Sequence, residues 1–90
     1  IFSGRSKATK DATAKWLADN DVPFNVMKMR PTGHPWAFMP DDKLKKSWLD
    51  NIFPGKQKDN ILCIFDDRDK VVKMWRDNGL SCFQVAEGNF

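Results

Sequence analysis

The sequence predicts an α/β fold in which helices join the strands of a parallel sheet. Residues 61–65 are an unbroken apolar run, which is typical of a strand buried on both faces. Helical and strand patterns alternate along the chain in the order β-α-β-α-β-α-β, and right-handed crossovers join strands in such folds. Asp66 and Asp67 follow the apolar run directly, at the edge where α/β sheets bind ligands.

The first forty residues predict two strands, one helix and a loop. Residues 1–2 end a strand that turns at Gly4. A helix is predicted over residues 7–20, where apolar residues recur at intervals of four and reach Trp16. A second strand is predicted over residues 24–29.

The last fifty residues predict two helices that alternate with two strands. One helix begins at Asp41 or Asp42, either of which can cap it, and runs to about residue 53. Pro54 and Gly55 end that helix, and Gly79 ends the next one. The remaining elements are strands over residues 60–65 and 81–86 and a helix over residues 69–78.

A proline-rich loop over residues 30–40 carries the only histidine, His34, close to Trp36 and Phe38. Aromatic side chains on a loop can stack on nucleic-acid bases. They can also fold back to cover the sheet, which is the commoner arrangement and the one that we expect here.

The composition fits one small domain over residues 1–90. The net charge is +3, and the lysine clusters favour a solvated surface over a nucleic-acid footprint. No apolar run approaches the length of a membrane span, and nothing resembles a signal peptide. Cys63 and Cys82 fall in predicted strands, which predicts buried thiols. Two such cysteines predict no disulfide and a cytoplasmic setting, which is that of a host cell if the protein is phage-encoded.

The adjacent carboxylates of Asp66 and Asp67 admit two interpretations. They repel each other unless a cation lies beside them, and Mg²⁺ prefers such oxygen ligands. Alternatively, they begin the next helix, where acidic side chains suit the helix dipole. The residues alone leave these interpretations at even weight.

Four segments together resemble the haloacid dehalogenase superfamily, and within it the phosphatase domain of bacteriophage polynucleotide kinase-phosphatases. The strongest match runs from Ile64 through Asp66-Asp67-Arg68 to Arg76 and continues with Gly79, Cys82, Gln84-Val85-Ala86 and Gly88. The other segments are Ser3-Gly4-Arg5, Met29-Arg30-Pro31 with Gly33, and Asp41-Asp42 followed by Lys45. The resemblance implies a three-layer Rossmann-like core, Mg²⁺, and hydrolysis of 3′-phosphates at nucleic-acid ends.

The resemblance also implies roles for residues in the first half of the chain. Ser3 and the amide of Gly4 would bind a phosphoryl oxygen, and Arg5 would position the substrate or nearby acids. Arg30 would contact the substrate phosphate.

Further roles follow for the second half of the chain. Lys45 would bridge the phosphate and the nucleophilic carboxylate. Asp66 would bind Mg²⁺, with Asp67 as a second ligand or as a partner of the first. Arg68 would pair with Asp41 or Asp67. Lys43 and Lys46 are alternatives to Lys45, but the spacing from Asp41 favours Lys45.

The chain departs from the family in two places. It contains no Asp-x-Asp-Gly-Thr segment, which carries the nucleophile and the general acid/base in the family. We therefore expect that the first, central strand is missing and that a complementing amino-terminal segment or self-association fills the gap. In the loop, His34 stands where relatives carry an acid, and residues 35–39 are inserted. A phosphatase for nucleotides or other small substrates, and a non-catalytic binding module, remain as alternatives.

Overall fold

Strands and helices alternate along the whole chain, as the sequence predicts. A computed structural model describes all 90 residues, which divide into two compact units, Ile1–Pro40 and Asp41–Phe90. None of the helices combines the length and the apolar character that crossing a bilayer requires. In chain order the elements are β1 (Phe2–Ser6), α1 (Lys10–Asp19), β2 (Lys28–Arg30), α2 (Asp41–Ile52), β3 (Ile64–Asp66), α3 (Asp69–Asp77) and β4 (Cys82–Gln84).

In the first unit, β1 pairs in parallel with β2. Ser3 lies opposite Met29 and Ser6 lies opposite Arg30, so the register shifts between Ser3 and Ser6. The predicted turn at Gly4 is wrong, because the strand continues to Ser6 and takes up the extra residues as a bulge.

The helix of the first unit begins three residues later than predicted. A 3-10 turn over Lys7–Thr9 precedes it, in which the Ser6 hydroxyl accepts a hydrogen bond from the Ala8 amide at 3.2 Å. Leu17 is buried against Met27 and Met29 and forms the small core of this unit. Trp16, by contrast, is 60% exposed, so the predicted apolar stripe that ends there does not face the core.

The proline-rich loop also differs from the prediction. Trp36–Phe38 forms a single 3-10 turn. Phe38 is 83% exposed and Trp36 is 40% exposed, so the expectation that these rings fold back to cover the sheet is wrong.

In the second unit, β3 pairs in parallel with β4, and α3 connects them. Helices α2 and α3 pack against each other, and α3 also packs against both strands. The core is therefore formed by the facing sides of α2 and α3 and by the sheet face beneath α3. Its fully or nearly fully buried members are Leu44, Trp48, Leu49, Val71, Val72, Trp75, Leu80 and Cys82.

Strands β2, β3 and β4 are shorter than predicted, and the four strands form two two-stranded sheets. A 3-10 turn over Gly55–Asn60 occupies the approach to β3, so the strand starts only at Ile64, and half-buried Cys63 lies outside it. Burial of the apolar run on both faces is a wrong prediction, because helices cover only one face of this sheet. The other face carries Phe65 and Phe83, 68% and 56% exposed, whose rings stack with centroids 5.5 Å apart.

Candidate functional site

Asp66 is the last residue of β3, and its carboxylate is the centre of the candidate site. Its Oδ1 accepts a hydrogen bond from the Asp67 amide at 2.9 Å. Its Oδ2 accepts one from the Lys45 ammonium at 3.1 Å and one from the Trp75 indole N–H at 3.2 Å. Three donors from the following turn, from α2 and from α3 thus fix the orientation of this carboxylate.

Lys45 is nearly buried, with 7% of its surface exposed, and lies between two carboxylates. Its Nζ is 3.1 Å from Asp66 Oδ2 and 3.4 Å from Asp41 Oδ2, one helical turn before it on α2. Arg68 approaches Asp41 at 3.9 Å, which selects Asp41 from its two predicted partners. This buried cluster offsets the cost of desolvating its charges by pairing them.

Among the three candidate lysines, the structure brings only Lys45 to Asp66. Lys46 instead forms an ion pair with Asp50 on the outer side of α2, and Lys43 is exposed. The four-residue spacing between Asp41 and Lys45 places both side chains on one face of the helix. That spacing was the signal that favoured Lys45 in the sequence.

The electrostatics of the cluster favour an ionised Asp66. Burial by itself would raise the pKa of the Asp66 carboxyl, but the hydrogen bonds from Trp75, Lys45 and the Asp67 amide and the charge of Lys45 hold that pKa below its usual value. Burial, with the nearby Asp66 charge, raises the pKa of the Cys82 thiol, so this thiol stays protonated.

Asp67 has an exposed side chain, but its backbone is held firmly. The Gln84 side chain donates from Nε2 to the Asp67 carbonyl at 2.8 Å and to Asp69 Oδ1 at 2.6 Å. The backbone of Gly88 packs so closely that a Cβ added there would lie 2.0 Å from the Asp67 carbonyl oxygen. The Asp69 amide also donates to the Gly88 carbonyl at 2.6 Å.

Sequence reasoning missed Trp75, Gln84 and Gly88 as parts of this site. It treated Trp75 only as a core residue of α3. One signal was available for Trp75, because a buried indole N–H needs an acceptor and the site offers a carboxylate. Gln84 and Gly88 are among the residues that match the family, but the resemblance implied no role for either of them.

The remaining predicted site residues lie in the first unit and form their own network. The Ser3 hydroxyl accepts a hydrogen bond from the Arg5 amide at 3.2 Å. Arg30 donates to the Gly4 carbonyl at 2.9 Å and to the Trp36 and Met39 carbonyls at 2.9 and 2.5 Å. Arg30 therefore holds the proline-rich loop to β1, and its contact with a substrate phosphate stays a prediction.

Asp66 and Asp67 fit the chemistry of a magnesium ligand pair. A carboxylate offers about four acceptor directions, and three hydrogen bonds leave one on Asp66 Oδ1. The exposed Asp67 side chain supplies a second carboxylate. No group of three or more acidic, histidine or cysteine side chains surrounds a cation position, but Mg²⁺ commonly uses one or two carboxylates plus water and phosphate oxygens.

The chain has parallel strand pairs and a buried cluster of a lysine and carboxylates at the end of β3. These features define a small α/β domain with a charged site at a strand end. A family model for the phosphatase domain of the polynucleotide kinase PNKP matches residues 1–90. The chain belongs to this family, which confirms the haloacid dehalogenase resemblance. The parallel α/β architecture agrees with a fragment of that fold.

One relative is the "Putative bifunctional polynucleotide kinase/RNA ligase" of Autographa californica nuclear polyhedrosis virus, which is 33% identical over 78 residues. The aligned region covers 86% of this chain and 10% of the viral protein. Two solved structures of a Pnkp1/Rnl/Hen1 complex, one of them described as an RNA repair complex, each match with a TM-score of 0.86 and 33% identity. Each match covers 99% of this chain and 27% or 29% of the other chain, so the chain spans a small part of its relatives.

Proposed function

We propose that this chain is part of a magnesium-dependent phosphatase that removes 3′-phosphates from nucleic-acid ends. The observation that carries the proposal is the buried Lys45 ammonium, 3.1 Å from the Asp66 carboxylate at the end of β3. A buried cation beside an ionised carboxylate, at the strand edge where α/β domains bind ligands, suits a phosphoryl group. Family membership and the viral polynucleotide kinase/RNA ligase relative support nucleic-acid ends as the substrate.

Each proposed residue contributes binding or charge stabilisation. Asp66 and Asp67 would hold Mg²⁺, which neutralises phosphate charge when it is bound. Lys45 would stabilise the negative charge that builds on the transferring phosphoryl group. Asp41 keeps Lys45 in place through an ion pair, and Arg68 forms an ion pair with Asp41 in turn.

Residues of the first unit also have proposed roles in binding a substrate phosphate. The Ser3 hydroxyl and the Gly4 amide would donate hydrogen bonds to phosphoryl oxygens. Arg5 has an exposed side chain and would position the substrate. Arg30 would contact the phosphate in addition to holding the loop.

The attacking carboxylate is proposed to come from a segment outside these ninety residues. The Asp-x-Asp-Gly-Thr motif does not occur in the chain, and each of the two sheets has only two strands. A further strand that ends in this motif would supply an aspartate for an aspartyl-phosphate intermediate and a second aspartate as general acid/base. A second copy of this chain could pair with the open strands but would not supply the nucleophile.

The test is phosphate release from a 3′-phosphorylated oligonucleotide in the presence of Mg²⁺, with the segment that carries Asp-x-Asp-Gly-Thr present. Asp66→Asn should abolish release while the circular dichroism spectrum stays unchanged. Asp50→Asn is the matched control, because Asp50 is exposed, pairs only with Lys46 and Lys58 away from Asp66, and should be dispensable. No release by the complete protein, or full release by Asp66→Asn, would contradict the proposal.

A non-catalytic binding module is the second candidate. The three hydrogen bonds that Asp66 already accepts favour it, because they stabilise the charge of the carboxylate without any metal. Titration by calorimetry separates the two candidates. The phosphatase should bind Mg²⁺ and lose that binding in Asp66→Asn. A binding module that uses Lys45 alone should bind phosphate in the absence of Mg²⁺.

A further inference from the structure

The proline-rich loop presents aromatic rings to solvent from a fixed backbone. Phe38 is 83% exposed and Trp36 is 40% exposed, although large apolar side chains normally gain free energy by burial. A single exposed apolar residue needs no explanation, but two that share one 3-10 turn form a local apolar surface. The turn is therefore a candidate contact surface.

Several hydrogen bonds hold this turn in place. Arg30 donates to the carbonyls of Trp36 and Met39, the residues that begin and follow the turn. The Ala37 amide donates to the Gly33 carbonyl at 3.0 Å. Pro31, Pro35 and Pro40 restrict the backbone further because their rings fix φ. A ring on a rigid backbone loses little conformational entropy when it binds a ligand.

The net positive charge of the chain is concentrated in the same unit. Residues 1–40 contain six Lys and Arg against three Asp, whereas residues 41–90 contain nine basic and nine acidic residues. The whole net charge of +3 therefore belongs to the unit that carries the exposed rings. Exposed Lys28 and half-buried Arg30 form the strand that leads directly into the loop.

We propose that the Trp36–Phe38 turn is a stacking site for an unpaired base of single-stranded nucleic acid. Positive charge that attracts the phosphate backbone, combined with aromatic rings that receive the bases, is the usual chemistry of single-strand binding. Phe38 is the main platform because its ring is the more exposed, and Trp36 supports it. The inference rests on the proposed function for its substrate class and adds that a base near the 3′ end must be unpaired.

The binding test uses the full protein and a fluorescent oligonucleotide without a 3′-phosphate, in an RNA and a DNA version. A second probe of each type lacks the bases and keeps the phosphates. Stacking is worth about 1–3 kcal/mol per base, so Phe38→Ala should weaken binding of the intact probe roughly 5- to 150-fold. Binding of the abasic probe should change less than about 2-fold, because phosphate contacts do not need the ring.

Two further variants separate stacking from other causes. Phe38→Leu keeps apolar bulk but removes the ring, so it should resemble Phe38→Ala if the ring stacks on a base. Trp16→Ala removes another exposed aromatic, 60% exposed on α1 in the same unit, and should leave binding unchanged. Circular dichroism of each variant confirms that the fold is intact.

The inference is overturned if Phe38→Ala weakens both probes equally, or weakens neither. Full affinity of Phe38→Leu for the intact probe also overturns it, because apolar bulk without a ring would then be sufficient for binding. Phosphate release from a small aryl phosphate distinguishes this failure from failure of the proposed function. With the Asp-x-Asp-Gly-Thr segment present, that release should survive Phe38→Ala. If the unaltered protein releases no phosphate under these conditions but still discriminates between the probes, the phosphatase is rejected and the stacking site is kept.

Discussion

Lys45 is the only cation whose side chain lies between the two buried carboxylates of the second unit. Its Nζ contacts both Asp41 and Asp66, whose side chains are 9% and 11% exposed. A lysine is almost never buried to this extent without such partners. Removal of its charge would leave two carboxylates in a poorly solvated position.

We predict that Lys45→Met, which keeps most of the side-chain volume, lowers the free energy of unfolding by about 3–5 kcal/mol. The loss arises because buried carboxylates remain without their cation. Lys46→Met is the matched control on the same helix, since its pair with Asp50 is largely exposed and should contribute less than about 1 kcal/mol. Urea unfolding measures both values, and equal losses would show that the cluster does not depend on Lys45.

Individual residues were predictable from the sequence where spacing determines which side chains meet. The Asp41 and Lys45 pair follows from helical periodicity, and the position of Asp66 follows from the end of an apolar run. The Trp75 hydrogen bond was not predictable in this way. It depends on how α3 packs over β3, which no local pattern specifies.

At the scale of elements, the turn after β3 is held by the last residue of β4 and by the chain segment that follows it. Gln84 contacts the Asp67 carbonyl, and Gly88 receives a hydrogen bond from the Asp69 amide. The Arg68 guanidinium lies over the Phe90 ring, 4.6 Å from its centroid. Gly88 and Phe90 therefore help Gln84 to fix the turn that carries Asp67, although neither belongs to a helix or a strand.

We predict that Gly88→Ala lowers stability by about 1–3 kcal/mol, the usual cost of forcing an extra methyl group into a packed position. The new Cβ would lie 2.0 Å from a backbone oxygen, so the turn itself must move. Thermal unfolding measures the loss, and faster hydrogen exchange of the Asp69 amide locates it. Asn89→Ala changes an exposed neighbour and should have little effect; the interpretation is wrong if both variants behave alike.

Helices were predicted more closely than strands, for a physical reason. The α2 and α3 patterns extend over several turns, and their boundaries differ from the prediction by one residue. A strand needs a neighbour for its hydrogen bonds, so its length depends on pairing rather than on its own apolar run. With only β4 as a partner, β3 is three residues long, although the apolar run predicted six.

At the scale of the whole molecule, charge is divided unequally between the two units. The first unit carries the entire net charge of +3, and the second is neutral because its acidic and basic residues balance. Composition alone gave only the total, which favoured an ordinary solvated surface. The division became visible once the structure separated residues 1–40 from residues 41–90.

We therefore predict that charge reversal in the first unit changes the salt dependence of nucleic-acid binding, and that the same change in the second unit does not. Lys10 and Lys28 are exposed in the first unit, and Lys43 and Lys70 are their exposed counterparts in the second. Each lost phosphate contact on a single strand should reduce the slope of log K against log salt by about 0.7. Lys10→Glu with Lys28→Glu should flatten the slope by up to about 1.4, while Lys43→Glu with Lys70→Glu leaves it unchanged. Equal flattening by both pairs would mean that lysines of both units contact the phosphate backbone, and that net charge does not locate the binding surface.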